Sequence, residues 1–366
     1  MRGVESIWSH DSAASFAARA LLSPFAVLYR AGAGMRNWMY DRELLASEES
    51  PVPVISIGNI SVGGTGKTPF SAWIAKQLID RGASPAVVLR GYGDDEPQVH
   101  RLLNPNVRIV VSPSRVDGIK RAAEQGADSV VLDDAFQHRH AKRSEDIVLV
   151  SADTWTPHQR SLPAGPWREP LSSLARASLI VITRKAVDSA KVHAVSDAIR
   201  RVAPGVPQAS VHFGLDRAHR VSAVSDASKG GREPIRDLRS LAGKRALAIA
   251  AIADTTAFFA QLEQSGLTIE RVSFTDHHQF TTADVARLLR HANHVDAVVC
   301  TLKDAVKLGA LWPAASTPLW YVSQSIAPEN GESEIEAVLA RILTRIGQQE
   351  NRETTRPHRP LDQTPT

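Results

Sequence analysis

The stretch VPVISIGNISVGGTGKTPF, residues 52–70, decides the fold of this chain. It begins as an apolar run that ends near Asn59, continues through a glycine-rich segment, and enters a helix-compatible run after Gly66, Lys67 and Thr68. A strand, a loop of the form Gly-x-x-x-x-Gly-Lys-Ser/Thr and a helix, in this order, are typical of a P-loop, which binds the phosphates of a nucleotide. The stretch therefore predicts a nucleotide triphosphate site.

Each part of this loop has a physical task. Ser61 replaces the first glycine of the pattern, but Gly63 and Gly64 still permit the tight path that points backbone N–H groups at phosphate oxygens. The ammonium of Lys67 can reach the β- and γ-phosphates, and the hydroxyl of Thr68 can bind Mg²⁺. The predicted nucleotide-binding residues are Ser61, Val62, Gly63, Gly64, Thr65, Gly66, Lys67 and Thr68.

Short runs rich in valine, isoleucine and leucine recur along the chain, and helix-compatible segments separate them. Because these runs lack polar alternation, they predict a parallel sheet with helices on both faces. This alternation of apolar runs and helix-compatible segments is interrupted around residues 205–240, where VHFGLDRAHRVSAV is compatible with two extended strands. It resumes with ALAIAAIA at 246–253. We therefore predict an α/β fold, with a P-loop NTPase-like parallel sheet and a second, smaller α/β domain joined by a two-stranded linker.

The same changes in rhythm predict the organisation of the chain. After about Ile346 the sequence is polar and contains prolines, which is typical of disorder. The expected parts are N-terminal amphipathic helices in 1–45, a P-loop domain in 46–207, a two-stranded linker region in 208–240, a C-terminal α/β domain in 241–346 and a disordered tail in 347–366.

Composition limits the class of protein. The chain has 366 residues, of which 43% are hydrophobic and 22% charged, as in a soluble globular protein with a substantial core. Its single cysteine, Cys300, excludes a disulfide framework and fits a reducing compartment. The net charge of +4 suits an anionic ligand or membrane surface but is too small to indicate nucleic acid. No apolar run reaches the ~18 residues of a membrane span, and no cleavable signal peptide is recognisable.

Residues 12–40 combine aromatic, apolar and arginine side chains. Phe16, Phe25 and Tyr29 fall near helical spacing, and Pro24 interrupts the pattern, so the segment predicts a pair of helices. Such a mixture suits the headgroup boundary of a bilayer. A helix pair packed on the domain behind it is equally compatible with the composition.

Carboxylates at two places can complete a nucleotide site. The run DSVVLDDAFQH ends a hydrophobic strand in Asp133-Asp134, where P-loop proteins hold the metal directly or through water. Paired aspartates are also common turn residues, but the P-loop favours the metal. In LPAGPWREP, 162–170, Arg168 can bind a phosphate with its forked guanidinium, and Glu169 can join the metal shell.

A third polar segment, SFTDHHQFTTADV at 273–285, places Asp276, His277 and His278 ahead of a helix with a capping pattern. Adjacent side chains of an extended stretch point to opposite sides, so the two histidines are not expected to share a metal. One histidine that acts as a base, or orients one, is the functional interpretation, and an ordinary surface loop is the alternative.

Taken together and in order, these segments resemble the tetraacyldisaccharide 4′-kinase family, the lipid A 4′-kinases. The resemblance extends over roughly residues 51–308, and the combination of motifs is far more specific than any one of them. The matching runs are VPVISIGNISVGGTGKTPF, RGYG, DEP, SPSRVDG, VVLDDAFQHR, LPAGPWREP, FTDHHQFT and TLKDAVKL.

The resemblance implies a kinase that uses ATP and Mg²⁺. It would transfer the γ-phosphoryl group to the 4′-hydroxyl of tetraacyldisaccharide 1-phosphate, giving lipid IVA in lipid A biosynthesis. The implied partners are this acylated disaccharide lipid and, through the N-terminal helices, the cytoplasmic face of the inner membrane. Neither nucleic acid nor an obligate protein partner is expected.

The resemblance also implies roles for individual residues. Asp95 matches the residue that accepts the proton of the acceptor hydroxyl, and His277 matches its supporting partner. The implied metal residues are Thr68, Asp133, Asp134 and Glu169, and the implied substrate or architectural residues are Arg168, Gln137 and His138.

The chain departs from the family pattern in three places. RGYGDDEP joins two segments that are usually well separated, so Asp94 is an alternative to Asp95 as the proton acceptor. Leu302 replaces the usual glutamate of the T-x-KD segment, and Ala253-Asp254-Thr255 replaces a more usual asparagine/proline turn.

Three other functions are compatible with a P-loop. A nucleotide-dependent switch would act through partners, although no NKxD-like segment for guanine is recognisable. A kinase or ligase for a small soluble metabolite would explain the loop but not the N-terminal segment or the DHH run. A catalytically inactive relative is the third, because of the shortened segment before Asp95.

Overall fold

A single, mostly parallel β-sheet organises the chain. The computed structural model describes Trp8 and residues 12–91, 95–156, 159–221 and 235–354. The strands are β1 (Val54–Asn59), β2 (Pro85–Leu89), β3 (Arg108–Val111), β4 (Ser129–Asp133), β5 (Glu145–Ser151), β6 (Leu179–Arg184), β7 (Gln208–Arg220), β8 (Ile235–Asp237), β9 (Arg245–Ala250), β10 (Thr268–Ser273), β11 (Ala297–Thr301) and β12 (Leu319–Asn330). They lie in the order β10-β9-β11-β12-β7-β6-β5-β1-β4-β2-β3, and β8 pairs with β7.

Helices cover both faces of this sheet. They are α1 (Ala13–Asp41), α2 (Lys67–Ile79), α3 (Asp95–Leu103), α4 (Arg115–Glu124), α5 (Ser189–Val202), α6 (Thr255–Gln264), α7 (Thr282–Ala292), α8 (Leu302–Leu308) and α9 (Glu332–Thr354). Short 3-10 helices occupy Leu171–Arg176 and Leu238–Leu241.

The P-loop strand β1 is central to the N-terminal half of the sheet. It pairs in parallel with β4 and β5, and all its residues are buried. Apolar side chains of α2 and α9 pack on one face of this half, and those of α4 and α5 fill clusters on the other. This burial on both faces explains why the strands read as continuous apolar runs. The predicted fold class is confirmed.

The C-terminal half of the sheet is smaller and consists of β9, β10, β11 and β12, which pair in parallel. It joins the first half where β12 runs antiparallel to β7, from Trp320 opposite Arg220 to Asn330 opposite Ser210. Within the predicted linker region 208–240, β7 pairs antiparallel with β8, and it also pairs with β12 outside that range. A partner about a hundred residues away is not visible in local sequence.

Two local expectations were wrong. The break predicted at Pro24 is absent: within 13–41 one helix continues through it, since a proline removes one backbone donor without always ending a helix, and Ser23 Oγ donates to Arg19 O at 2.8 Å. The segment expected to be disordered after residue 346 stays helical to Thr354, because α9 continues without interruption. Residues 355–366 lie outside the described part. Among the described residues, no helix is both long and apolar enough to span a bilayer.

Candidate active site

The phosphate loop lies between β1 and α2 and depends on glycine at two positions. Gly63 has φ +122° and Gly66, the N-cap of α2, has φ +88°. A Cβ at Gly66 would lie 2.8 Å from Cζ of Phe213, which is buried beside the loop. Because an L-residue at this position would be strained and would also clash, only glycine fits here.

Side chains from neighbouring strands hold the backbone of the loop. Asn59 Nδ2 donates to Thr65 Oγ1 at 3.0 Å, and Thr183 Oγ1 donates to the Thr65 carbonyl at 3.1 Å. The ammonium of Lys185 donates to the Gly64 carbonyl at 2.9 Å. Two successive carbonyls of the loop therefore face the end of β6.

The P-loop lysine faces the carboxylates at the end of β4. Lys67 Nζ lies 3.8 Å from Asp134 Oδ1, and Arg168 Nη1 donates to both oxygens of Asp134, at 3.0 and 3.2 Å. Burial lowers the pKa of Lys67, and the charge of Asp134 offsets part of this effect. One carboxylate thus lies against two cations that are both suited to phosphate oxygens.

Asp133 connects the elements around the site. Its carboxylate accepts from Ser71 Oγ on α2 and pairs with His100 Nε2 on α3, both at 3.0 Å. Burial opposes the charged form, but His100, Lys67 and Ser71 outweigh it and lower the pKa of Asp133. Arg115 Nη2 on α4 donates to its backbone carbonyl at 2.8 Å.

The predicted metal residues fall into two groups. Asp133 and Asp134 lie beside Lys67 at the strand end, whereas Glu169 accepts from Arg176 Nη1 at 3.0 Å and from Asn37 Nδ2 of α1 at 2.8 Å. No cluster of three or more acidic, histidine or cysteine side chains that could hold a metal occurs in the described chain. A P-loop site needs no such cluster, since phosphates and water supply most oxygens around Mg²⁺. The donor set of the strand end fits this kind of ion.

Asp95 and His277 come together across the two halves of the molecule. His277 Nδ1 lies 3.8 Å from Oδ2 of Asp95, the first residue of α3, and α3 packs against α8 of the C-terminal half. Lys307 Nζ of α8 lies 3.8 Å from the same oxygen. The Asp95 side chain is only 4% exposed, and within the described chain its Oδ2 accepts no hydrogen bond. Such an oxygen is suited to accept a proton from a ligand.

The neighbouring histidine has a different environment. His278 Nε2 pairs with Asp284 at 3.1 Å, and its ring lies between Phe274 and Phe280. His277, in contrast, has φ +58° and an exposed side chain whose Nε2 lies 3.0 Å from Lys303 Nζ. Only His277 of the two therefore lies near Asp95, and the backbone there is a turn rather than the extended stretch that the sequence analysis assumed.

Gln137 and His138 lie on the loop after β4. Gln137 Nε2 donates to the Asn59 backbone carbonyl at 2.8 Å, and the backbone carbonyl of Gln137 accepts from the Arg36 guanidinium of α1. Burial and the charge of Arg115 lower the pKa of His138 to about 4, so its imidazole is neutral at physiological pH. These contacts connect the phosphate loop to the N-terminal helix.

Several residues at the site were missing from the sequence prediction. They are Ser71, His100, Arg115, Lys185 and Lys307, all of which bond to or pair with the predicted residues. Arg115 lies in the quoted run SPSRVDG and Lys307 in TLKDAVKL, so their motifs were recognised but their roles were not. Asp94 lies outside the described residues.

A glycine-rich phosphate loop that faces paired aspartates at the end of the adjacent strand is typical of P-loop proteins, which bind nucleotide triphosphates. The sequence model described as tetraacyldisaccharide-1-P 4′-kinase matches residues 18–344. The tetraacyldisaccharide 4′-kinase of Chlorobaculum parvum is 35% identical over 312 residues, covering 78% of this chain and 82% of that protein. Its counterpart from Halorhodospira halophila is 33% identical, and the match covers 95% of this chain and 99% of that protein. The chain belongs to the tetraacyldisaccharide 4′-kinase family.

The fold agrees with this assignment. A crystal structure of LpxK from Aquifex aeolicus in complex with ATP matches with a TM-score of 0.66 and 27% identity. The match covers 90% of this chain and 99% of that one. The resemblance noted in the sequence is thus confirmed, whereas the roles of individual site residues stay predictions.

We expect Gly66→Ala to lower ATP affinity more than about tenfold, since a side chain there meets both an unfavourable φ and the Phe213 ring. Gly82→Ala is the matched control, because Gly82 has φ +90° but no atom within 4 Å of an added Cβ. It should cost about 1–2 kcal/mol of stability and leave ATP affinity unchanged. Titration with a fluorescent ATP analogue measures the affinity of each variant. Equal losses of affinity in the two variants would contradict the argument.

Proposed function

We propose that the chain transfers the γ-phosphoryl group of ATP to the 4′-hydroxyl of tetraacyldisaccharide 1-phosphate, forming lipid IVA. One observation carries the proposal: α3 connects the phosphate loop to the Asp95–His277 pair. His100 binds Asp133 beside the phosphate loop, and Asp95, at the start of the same helix, pairs with His277. A rigid helix therefore fixes the distance between the ATP phosphates and the group that would receive the hydroxyl proton.

In the proposed reaction the 4′-oxygen attacks the γ-phosphorus. The O–H bond breaks and its proton passes to Asp95, the new O–P bond forms, and the bond to the β-phosphate breaks to release ADP. Lys67 would neutralise charge on the transferring group, which is the main requirement of phosphoryl transfer. His277 would orient Asp95 and stabilise its charge.

Magnesium, when bound, would supply positive charge that neutralises the transferring phosphates. Thr68 and the strand-end pair Asp133 and Asp134 would hold it, directly or through water. Glu169 would have to give up a bond to Arg176 or Asn37 to join them, just as Asp134 would have to give up a bond to Arg168.

The sugar would bind between the phosphate loop and α1. Arg168 is a forked donor for a phosphate, and Gln137 and neutral His138 offer uncharged hydrogen-bonding groups to sugar hydroxyls. Asn37 of α1 contacts Glu169, and Arg36 contacts Gln137, so the helix reaches the same residues. This continuity supports a substrate that extends from the site along α1.

Helix α1 has the apolar pattern of a membrane-binding helix. Its buried residues are Ser15, Arg19 and Ala26, whereas large apolar side chains point outward. Those that are at least 40% exposed are Phe16, Leu21, Phe25, Val27, Leu28, Tyr29, Met35 and Trp38. A helix of a soluble body normally buries such residues. We propose that α1 lies in the interface of the cytoplasmic face of the inner membrane, with Arg30 and Arg36 near anionic headgroups.

The direct test supplies purified protein with ATP, Mg²⁺ and tetraacyldisaccharide 1-phosphate in detergent micelles. We expect a doubly phosphorylated product, and Lys67→Ala should reduce its rate about 100-fold or more, since a charge on the transferring group is no longer neutralised. Lys76→Ala, an exposed lysine on the same helix, is the control and should leave the rate unchanged. ATP hydrolysis without lipid product would instead favour a nucleotide-dependent switch.

Asp95→Asn should reduce the rate about 100-fold or more while the affinity for ATP changes less than about twofold, because the residue acts on the acceptor and not on the nucleotide. His277→Gln should have a smaller effect in the same direction. Quench-flow turnover and ATP titration separate the two quantities. A loss of rate in Asp94→Asn alone would assign the proton acceptor to the neighbouring residue.

Membrane binding is tested with a triple variant, Leu21→Glu/Phe25→Glu/Leu28→Glu, whose positions share one side of α1. Its sedimentation with phosphatidylethanolamine–phosphatidylglycerol vesicles should fall several-fold, because charges replace the apolar side chains that enter the interface. Val202→Glu/Ile235→Glu changes exposed apolar residues elsewhere and serves as the control. Equal binding by the two variants would exclude α1 as the membrane contact.

A further inference from the structure

Each polar group of Lys185, which directly follows β6, takes part in a hydrogen bond. Its backbone N–H donates to Asp153 Oδ2 at 2.8 Å, and its carbonyl accepts from Gln261 Nε2 at 3.1 Å. Its ammonium donates to the Gly64 carbonyl at 2.9 Å and to Asp254 Oδ2 at 2.8 Å. The side chain is therefore fixed in place, with its charge directed at the phosphate loop.

Asp254 belongs to the other half of the molecule and is shared between two tasks. One oxygen caps α6 by accepting from the Ala257 N–H at 3.1 Å, and the other accepts from Lys185. The side chains of Lys185 and Asp254 are only 9% and 11% exposed. Because water is largely excluded, this ion pair is screened far less than a surface pair.

A second contact from α6 reaches the loop nearby. Gln261, on the same helix, also donates to the carbonyl of Phe213, whose ring lies against Gly66. Helix α6 thus approaches the phosphate loop at two points, through Lys185 to Gly64 and through Phe213 to Gly66.

We propose that Lys185 and Asp254 together position the phosphate loop for ATP and couple it to the C-terminal half. A trans peptide directs its C=O and N–H groups to opposite sides. Since Lys185 and Thr183 hold the carbonyls of Gly64 and Thr65 toward β6, those carbonyls face away from the phosphates, and the N–H of Gly66 is directed to the opposite side. Lys185 and Asp254 are positioning residues, because they act through the loop. The inference rests on nucleotide binding at this loop, which is part of the proposed function.

The test measures binding of a fluorescent ATP analogue with MgCl₂, with no lipid present. Lys185→Met should raise the dissociation constant about tenfold or more, because a charge-assisted bond to the loop is lost. Asp254→Asn keeps an oxygen for the cap of α6 and removes only the charge, so we expect a smaller rise of several-fold. Asp188→Asn is the matched control: Asp188 caps α5 through the Lys191 N–H without contact to the loop.

The outcomes distinguish positioning from ordinary stabilisation. If the two residues act as a unit, Lys185→Met/Asp254→Asn binds the analogue as weakly as Lys185→Met, within about twofold. If the dissociation constant of the double variant instead rises by the product of the two single effects, the coupling to the C-terminal half is overturned. Unchanged dissociation constants in Asp254→Asn and Lys185→Met, with lower unfolding temperatures only, would overturn the proposal. Because the assay contains no acceptor, these results do not depend on which molecule receives the phosphoryl group.

Discussion

The site depends on the hydrogen bonds of one buried carboxylate, that of Asp133. It lies at the end of β4 and binds side chains from α2 and α3, while its own carbonyl accepts from α4. An isolated buried charge would be costly, but Ser71, His100 and Lys67 surround this one, and its pKa is lowered. The helix that carries Lys67 and the helix that carries Asp95 are thus fixed to one strand end. The separation of Lys67 and Asp95 therefore depends on this contact.

Around this centre the two halves of the molecule contribute different groups. The N-terminal half supplies the phosphate loop and the strand-end aspartates, and the C-terminal half supplies His277, Lys307 and Asp254. The halves share one sheet through β7 and β12, so these groups are held in a defined arrangement.

The sequence predicted the features that local pattern encodes. The phosphate loop was recognisable because its strand, glycines, lysine and helix are contiguous, and the parallel sheet was recognisable from apolar runs that are buried on both faces. Pairing of Asp95 with His277 followed from family resemblance alone, since the two residues are far apart in the chain. The bond from His100 to Asp133 spans 33 positions and that from Lys185 to Asp254 spans 69, and no local periodicity marks either. Pro24 and the polar end of α9 were misjudged because tertiary context overrides propensity.

The last helix has a consequence for how the protein is made. Ile335, Leu339 and Ile342 of α9 complete the core around β1 and α2, and Arg341 binds the buried carboxylate of Glu145 on β5. During synthesis α9 follows every strand of the sheet, so the first half of the sheet emerges before this part of its cover. Until α9 has been made, the apolar face that it covers is a target for chaperones or for aggregation.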